Sequence, residues 1–395
     1  MSTNKSTIVI NEVAFFVILL YISKATEVKE VYKWNNVNFT WPNQLVYQYS
    51  LQAGLYIPAN NFPTNIKIYG SRIYTALGRY YSGTPVTLGY VPLKSNNVSP
   101  LVTPFPSWEM NVQCDCKTLQ NVNAIDIDKN GIMWILDGLR HNNLTNCPSK
   151  LIIYNITSHK IISTYDFPSE GGQTNAYLGD IVIDGNFAYI TDSNAQDPGI
   201  IVYSKKKNTS WKLRDASMFP DQNALTFKIG KSKFNYYHAV GPITVSPYTG
   251  NSKKNRFIFY SPVSSLNIYK LNVDVIQNRD LITQNSWRDY VHVAGTKADQ
   301  SYNYVMNHNG DMYFCLLNKN ALAKWNVDKG FRTASFVASN NMINWCTGAA
   351  FSRDHLYLIS GNLSNYFING VKPTIEMNSF RLLKVSIKNR NKRYS

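Results

Sequence analysis

The feature that most constrains this chain is a strand-like phrase that recurs six times around a central aromatic. The phrases are Arg72-Ile-Tyr-Thr-Ala-Leu77, Ile132-Met-Trp-Ile-Leu-Asp137, Phe187-Ala-Tyr-Ile-Thr-Asp192, Phe257-Ile-Phe-Tyr-Ser261, Met312-Tyr-Phe-Cys-Leu-Leu317 and Leu356-Tyr-Leu-Ile-Ser360. Their aromatics, Tyr74, Trp134, Tyr189, Phe259, Tyr313 and Tyr357, stand 60, 55, 70, 54 and 44 residues apart. Aromatic and β-branched residues favour strands. That spacing suits four-stranded propeller blades with long loops. Runs such as Ala124–Asp128, Gly179–Asp184, Gly241–Ser246 and Val305–Asn309 precede four of the phrases. Each is followed by a Gly- or Pro-containing turn of the kind that closes hairpins. Further strand-like runs follow at Leu151–Asn155, Gly199–Tyr203, Leu266–Lys270 and Ala321–Trp325. Almost no stretch keeps a 3.6-residue apolar period. The reading is all-β: a six-bladed β-propeller of four-stranded antiparallel blades. Two runs are left over, Leu382–Ile387 and Leu45–Tyr49. One of them is expected to complete a blade shared between the two chain ends, which closes the ring and removes an open edge.

Ahead of the repeat, Lys5 and the ten-residue apolar run Val13–Ile22 precede Ser23-Lys24-Ala25. A run of that length is too short to span a bilayer and has the layout of a secretory signal. Residues 1–25 are therefore read as a signal peptide. Residues 26–395 are read as one propeller domain with a basic C-terminal tail, extracellular and not membrane-embedded. A monomer is expected. Secretion permits disulfides. It also makes the sequons at Asn38, Asn97, Asn143, Asn155, Asn208 and Asn362 candidate glycosylation sites.

Hydrophobic residues make up 44% of the chain, enough for a large core, which excludes bulk disorder. Lys and Arg number 40 against 24 Asp and Glu, a formal charge of +16. Much of the excess sits at Lys205–Lys207, Lys228, Lys231, Lys233, Lys253–Lys254 and the tail from Lys388 to Arg393. These read as a solvated face or frayed tail, with heparin-like glycans or an anionic membrane surface as the alternative reading. Nucleic acid is not expected, because no binding module accompanies the charge.

Catalytic signatures are missing. The histidines at 141, 159, 238, 292, 308 and 355 form neither His-x-His nor His-Glu-x-x-His. Nucleophile-elbow, dinucleotide-binding and phosphate-loop patterns are absent. Cys114-Asp-Cys116 has no matching pair to complete a zinc site. Asp126 to Asp137 imitates a calcium loop, with oxygens at positions 1, 3, 5 and 12 and Gly131 at position 6. Its flanks are strand-like, however, and Asp128-Lys-Asn-Gly131 is an ordinary hairpin turn. No catalytic residue, metal or cofactor is assigned, and the chain is read as a non-enzyme.

Several phrases in fixed order carry a family resemblance. They are Leu119-Gln-Asn-Val122 with Met133-Trp-Ile-Leu-Asp137, Cys147-Pro-Ser-Lys-Leu-Ile-Ile-Tyr154, Tyr177-Leu-Gly-Asp-Ile-Val-Ile-Asp184, Tyr189-Ile-Thr-Asp-Ser193 with Gly199-Ile-Ile-Val-Tyr203, and Phe257-Ile-Phe-Tyr-Ser-Pro262. Together they resemble the yellow/major royal jelly protein family, and within it the yellow-related salivary proteins of blood-feeding sand flies. The likeness runs between residues 30 and 387. It implies a six-bladed propeller whose central pocket binds serotonin, catecholamines and histamine. The chain departs from the pattern at Asn130, where most of the wider family has a cysteine.

Cys315 lies in the fifth blade's core strand and Cys346 at the start of the sixth blade's, so a bridge between them would staple adjacent blades. Cys147 pairs with Cys116 or Cys114. The family's Cys-x-x-Leu phrase, here Cys116-Lys-Thr-Leu119, favours Cys116 and leaves one thiol. A loop of ~30 residues closed this way is worth roughly 3 kcal/mol in the chain-entropy model.

In the salivary amine binders a Thr of a Cys-Thr-Gly phrase contacts the ligand, as do an Asn and an aromatic two residues after it. The resemblance places the Thr on Thr347 and, counted without a gap, the Asn on Asn362. Trp345 matches the aromatic two residues before the Thr. The later aromatic falls on Ser364, which removes a stacking surface worth ~1–3 kcal/mol. Ser364-Asn365-Tyr366-Phe367 matches the phrase literally but requires an insertion. A glycan on Asn362 would obstruct the site. Asp126 and Asp180 sit on inner-strand phrases, where acids either line the central channel or hydrogen-bond neighbouring blades. The expected function is a salivary biogenic-amine-binding protein. The alternatives are a propeller that has lost amine binding and works through its basic surface, or a dopachrome-converting enzyme.

Overall fold

The computed structural model describes residues 26–138, 147–169, 173–174, 176–229, 232–248, 255–363 and 379–387. The expected signal peptide, Asn143, Ser364, Lys231, Lys253, Lys254 and the basic tail lie outside these.

Six four-stranded antiparallel sheets form six blades of a β-propeller. Blade I comprises Asn65–Tyr69, Arg72–Ala76, Leu88–Pro92 and Thr103–Pro104; blade II comprises Val122–Ile127, Ile132–Asp137, Lys150–Asn155 and Lys160–Asp166. Blade III comprises Leu178–Asp184, Phe187–Asp192, Gly199–Ser204 and Thr209–Leu213; blade IV comprises Val240–Val245, Phe257–Pro262, Asn267–Asn272 and His292–Thr296. Blade V comprises Tyr304–Met306, Asp311–Leu316, Ala321–Asn326 and Ser335–Ser339. Blade VI takes Trp345–Ser352, His355–Gly361 and Phe380–Ser386 from the C-terminal end and Val28–Trp34 from the N-terminal end. The six repeated aromatics all fall on the second strand of their blade and are buried. A second strand is covered on both faces by adjacent blades, so it reads as a near-continuous apolar run.

Ring closure corrects one expectation. Leu382 to Ser386 of that run belong to the third strand of the shared blade VI, and the closing fourth strand is Val28–Trp34, paired Tyr32↔Leu382 and Trp34↔Phe380. Leu45–Tyr49 is not a strand; it lies in the helix Gln44–Gln52. The Asn43 side chain accepts a hydrogen bond from the Val46 amide there. This N-cap chemistry outweighs the strand preference of Val46, Tyr47 and Tyr49. The closing strand is also tied to blade I, since the Tyr32 hydroxyl donates to Pro92 O and Trp34 Nε1 donates to Pro100 O.

Cys116 is bonded to Cys147, and Cys315 to Cys346, which joins the second strand of blade V to the first of blade VI. Cys114 is an exposed thiol. The calcium-like loop is a hairpin turn in which the Asp128 carboxylate accepts from the amides of Asn130 and Ile132. Asp137 turns away from it and accepts from the Gln120 and Asn121 amides. Among the sequons, Asn97 and Asn208 are exposed, whereas Asn38, Asn155 and Asn362 are half-buried. No helix among the described residues is long and apolar enough to cross a membrane.

One element stands outside the blades. Between blades III and IV the chain makes a hairpin of Thr226–Ile229 and Ser232–Asn235. It crosses the ring and lays Phe227 and Phe234 on Trp345 of blade VI.

Candidate functional site

The first strand of each blade faces the propeller axis, so its side chains decide what the central channel can hold. The channel has two unlike ends. The open end is a cavity of about 340 Å³ whose charged lining groups, among the described residues, are Lys67, Asp126 and Asp180. The other end narrows to about 20 Å³ between Thr347, Tyr177, Tyr302, His238, Asn123 and Asp180.

At the open end Lys67 Nζ lies 2.9 Å from Asp126 Oδ1. Asp126 Oδ2 also accepts from the Ile183 amide of blade III. Asp180 repeats the device one blade on, with Oδ1 accepting from its neighbour Ile181 and Oδ2 from Ile243 of blade IV at 3.4 Å. Both readings of these acids hold together: they line the channel and they tie each blade to the next. Burial pushes the Asp180 carboxyl up to about 6, against the opposing pull of the Lys67 ammonium.

At the closed end aromatic rings fill the space. Trp345 is fully buried, stacked on Phe227 at 5.9 Å and 16°, with Tyr236 and Tyr302 against its edges at 5.9 and 5.6 Å. Burial raises the hydroxyl pKa of Tyr80, Tyr177, Tyr236 and Tyr302 well above the ordinary range. Burial also pushes the His238 imidazole down to about 4, so the ring is neutral at physiological pH. The Thr347 hydroxyl donates to Pro63 O at 3.0 Å, leaving its oxygen as an acceptor.

The sequence-derived site residues therefore separate. Thr347 lines the small cavity. Trp345 stands one ring behind it, in contact with Tyr302. Asn362 Oδ1 accepts from Asn344 Nδ2, so Asn362 sits across from Asn344. Asn344 precedes the strand Trp345–Ser352, and Thr347 lies at that strand's register shift between Cys346 and Gly348. Phe227, Phe234, Tyr236, His238, Tyr177 and Tyr302 were not singled out as site residues. A signal for the hairpin was present, since Phe227 and Phe234 flank alternating lysines around a glycine.

Residues 120–393 match the sequence profile described as major royal jelly protein. The chain belongs to the major royal jelly protein family. It is 24% identical over 339 residues to a Drosophila melanogaster protein named dopaminechrome tautomerase, covering 82% of this chain and 73% of that one. It is 27% identical over 317 residues to the protein yellow of Drosophila madeirensis, covering 76% of this chain and 55% of that one. This royal-jelly-family chain thus spans little more than half the length of that yellow relative. A solved streptogramin B lyase overlaps 92% of the chain and 99% of its own at 11% identity, with a TM-score of 0.43, and carries no argument about function.

Proposed function

We propose that this family member is a secreted salivary protein that captures biogenic amines, namely serotonin, catecholamines or histamine, without turning them over. The observation that carries the reading is the placement of Thr347. Thr347 lines a cavity walled by Tyr177, Tyr302 and His238, and Trp345 packs against Tyr302 behind it. An arylethylammonium ion needs that combination of acceptor and rings. A cavity of about 20 Å³ holds one water, so the amine enters only as rings shift. Two disulfides fit an extracellular setting. Capture is stoichiometric, which demands abundant protein and a Kd below the local amine concentration. The surplus positive charge would also hold the protein on heparin-like glycans, which retention on heparin and elution by salt would test.

The deciding experiment is calorimetry with serotonin on deglycosylated protein. Thr347→Ala is expected to weaken binding 5- to 150-fold, the range for losing a hydrogen bond to a charged group. Unchanged affinity in the folded variant removes Thr347 from the site.

A second reading has one observation in its favour. A relative is named a dopaminechrome tautomerase, and here His238 and Asp180 line one cavity as a neutral base and a carboxyl group. Turnover of dopaminechrome that is abolished by His238→Gln would establish it over simple capture.

A further inference from the structure

Between blades IV and V, away from the propeller axis, lies a cavity of about 750 Å³. It is larger than either end of the central channel and shares no lining residue with them. Its apolar lining is Phe314, Leu316, Ala323, Phe331, Ala334 and Phe336. The volume lies within the usual range for small-molecule sites, roughly 300–1,000 Å³.

The walls of this cavity are already in place. Phe331 packs on Trp325 at 5.0 Å and lies against Gly295 of the outer strand of blade IV, where a Cβ would stand 2.1 Å from the ring. Only glycine allows so close an approach. On the other side Phe336, in the outer strand of blade V, is 59% exposed, so an apolar side chain is left in solvent at the cavity's edge.

Charge selects among apolar ligands. Two basic residues line the cavity, Lys297 and Arg332, and no acidic residue does among the described residues. Arg332 is exposed and stands where the cavity meets solvent. Lys297 is buried, and its Nζ donates to Ser261 Oγ and Tyr304 OH, each at 2.9 Å. Neither cation has a carboxylate within ion-pair distance among the described residues. Lysine is almost never fully buried unless it is paired with a charge. Burial pushes this ammonium down to about 7, against a weaker pull from Asp299. An apolar slot with two cations and no acid is complementary to an anion that carries an apolar tail.

We propose that the cavity between blades IV and V binds a fatty carboxylate, its chain against Phe314, Leu316 and Phe336 and its carboxylate on Arg332. The guanidinium offers a forked pair of donors that matches a carboxylate. An alkylammonium ion is disfavoured, because the cavity has no acid to receive it. The site is separate from amine capture at Thr347 and does not depend on it.

The test is calorimetry of the glycosylated, full-length protein with sodium octanoate and sodium decanoate at pH 7.4. The uncharged and cationic probes are 1-octanol and octyltrimethylammonium bromide. Saturable binding of both carboxylates is expected, with octanol and the cation each weaker than octanoate. Decanoate should bind more tightly than octanoate, up to about 15-fold for two fully buried methylenes. Arg332→Glu should weaken octanoate about tenfold or more, the scale of a hydrogen bond to a charged group, and leave octanol unchanged. Phe336→Ser should weaken decanoate. Both side chains are exposed, so both variants should melt with the parent. Serotonin should displace neither carboxylate. The proposal is overturned if octanol binds as tightly as octanoate, if either variant binds decanoate like the parent, or if no saturable binding appears up to millimolar decanoate. Displacement of decanoate by serotonin would put the chain in the channel and also overturns it. Arg332-dependent binding to phosphatidylserine vesicles without binding of free decanoate would make the cleft a membrane contact, and this site is then wrong.

Discussion

Trp345 and Phe227 lie nearly parallel, ring centroids 5.9 Å apart, although one belongs to blade VI and the other to a hairpin that leaves the ring between blades III and IV. The contact ties the hairpin to blade VI beside Tyr302, which lines the narrow end of the channel. Phe227 is fully buried, so Phe227→Ala removes a packed ring and is expected to cost about 3–5 kcal/mol. It should also make Trp345 fluorescence quenchable by iodide. A variant as stable as the parent, with Trp345 still shielded, would show that the hairpin does not hold this end shut.

The blade V–VI disulfide should act as a staple. Replacing Cys315 and Cys346 together by alanine is expected to lower stability by about 3 kcal/mol in denaturant unfolding, the chain-entropy value for a loop of this size. Peptide mapping without reduction should recover Cys116 linked to Cys147 and alkylated Cys114. Recovery of a Cys114–Cys147 peptide would contradict the pairing.

Asp180 should make stability depend on pH. The groups that face it are Lys67 and Asp126 at the open end and His238, Tyr177 and Tyr302 at the closed end. Its folded-state pKa of about 6 lies above the ordinary carboxylate value. Below pH 4 the group is protonated folded or unfolded and costs nothing. Between pH 4 and 6 the unfolded chain ionises first, so the native state loses stability as pH rises. Asp180→Asn removes that loss. It should match the parent near pH 4 and exceed it above pH 6 by roughly 1–3 kcal/mol, discounted for water in the channel. Urea unfolding at the two pH values checks the sign. A variant less stable than the parent only at neutral pH would reverse it.

The missing aromatic at Ser364 offers a test with the opposite direction. Ser364→Phe is expected to tighten serotonin binding in calorimetry by supplying a ring contact worth about 1–3 kcal/mol. General destabilisation cannot mimic a gain. No gain in folded protein would count against the ungapped alignment of Asn362 and Ser364.

Much of the fold was legible because it is written in local patterns. The six aromatics mark second strands that must be apolar on both faces, and the Cys315–Cys346 bridge followed once the blades were placed, whereas Cys116 was preferred to Cys114 only through the family phrase. The closing strand was hidden by its own environment. As an outer strand it carries the exposed charges Lys29, Glu30 and Lys33, which read as surface, and a register shift between Glu30 and Tyr32 breaks its alternation. Leu45–Tyr49 misled for the converse reason, because the capping Asn43 precedes a run of strand formers whose Leu45 and Tyr49 face solvent. At the candidate site, the family phrase singled out Thr347, which lines the small cavity. The ring packing around it was not, because Phe227, Tyr302 and Trp345 meet only through contacts between distant parts of the chain.

Closure by the N-terminal strand has a consequence for biosynthesis. Val28–Trp34 is made well before its partner Phe380–Ser386. Roughly 350 residues separate them, which at 5–20 residues per second is about 20–70 s of translation. Throughout that interval blade VI does not exist, and the strand that will seal the ring presents a bare edge. The five intervening blades can form in order from local hairpins, but the ring becomes a single cooperative body only when Phe380–Ser386 has been made and pairs with Val28–Trp34. Chains truncated before Phe380 are therefore expected to be sticky intermediates rather than smaller propellers, a cost built into joining the two ends in one sheet.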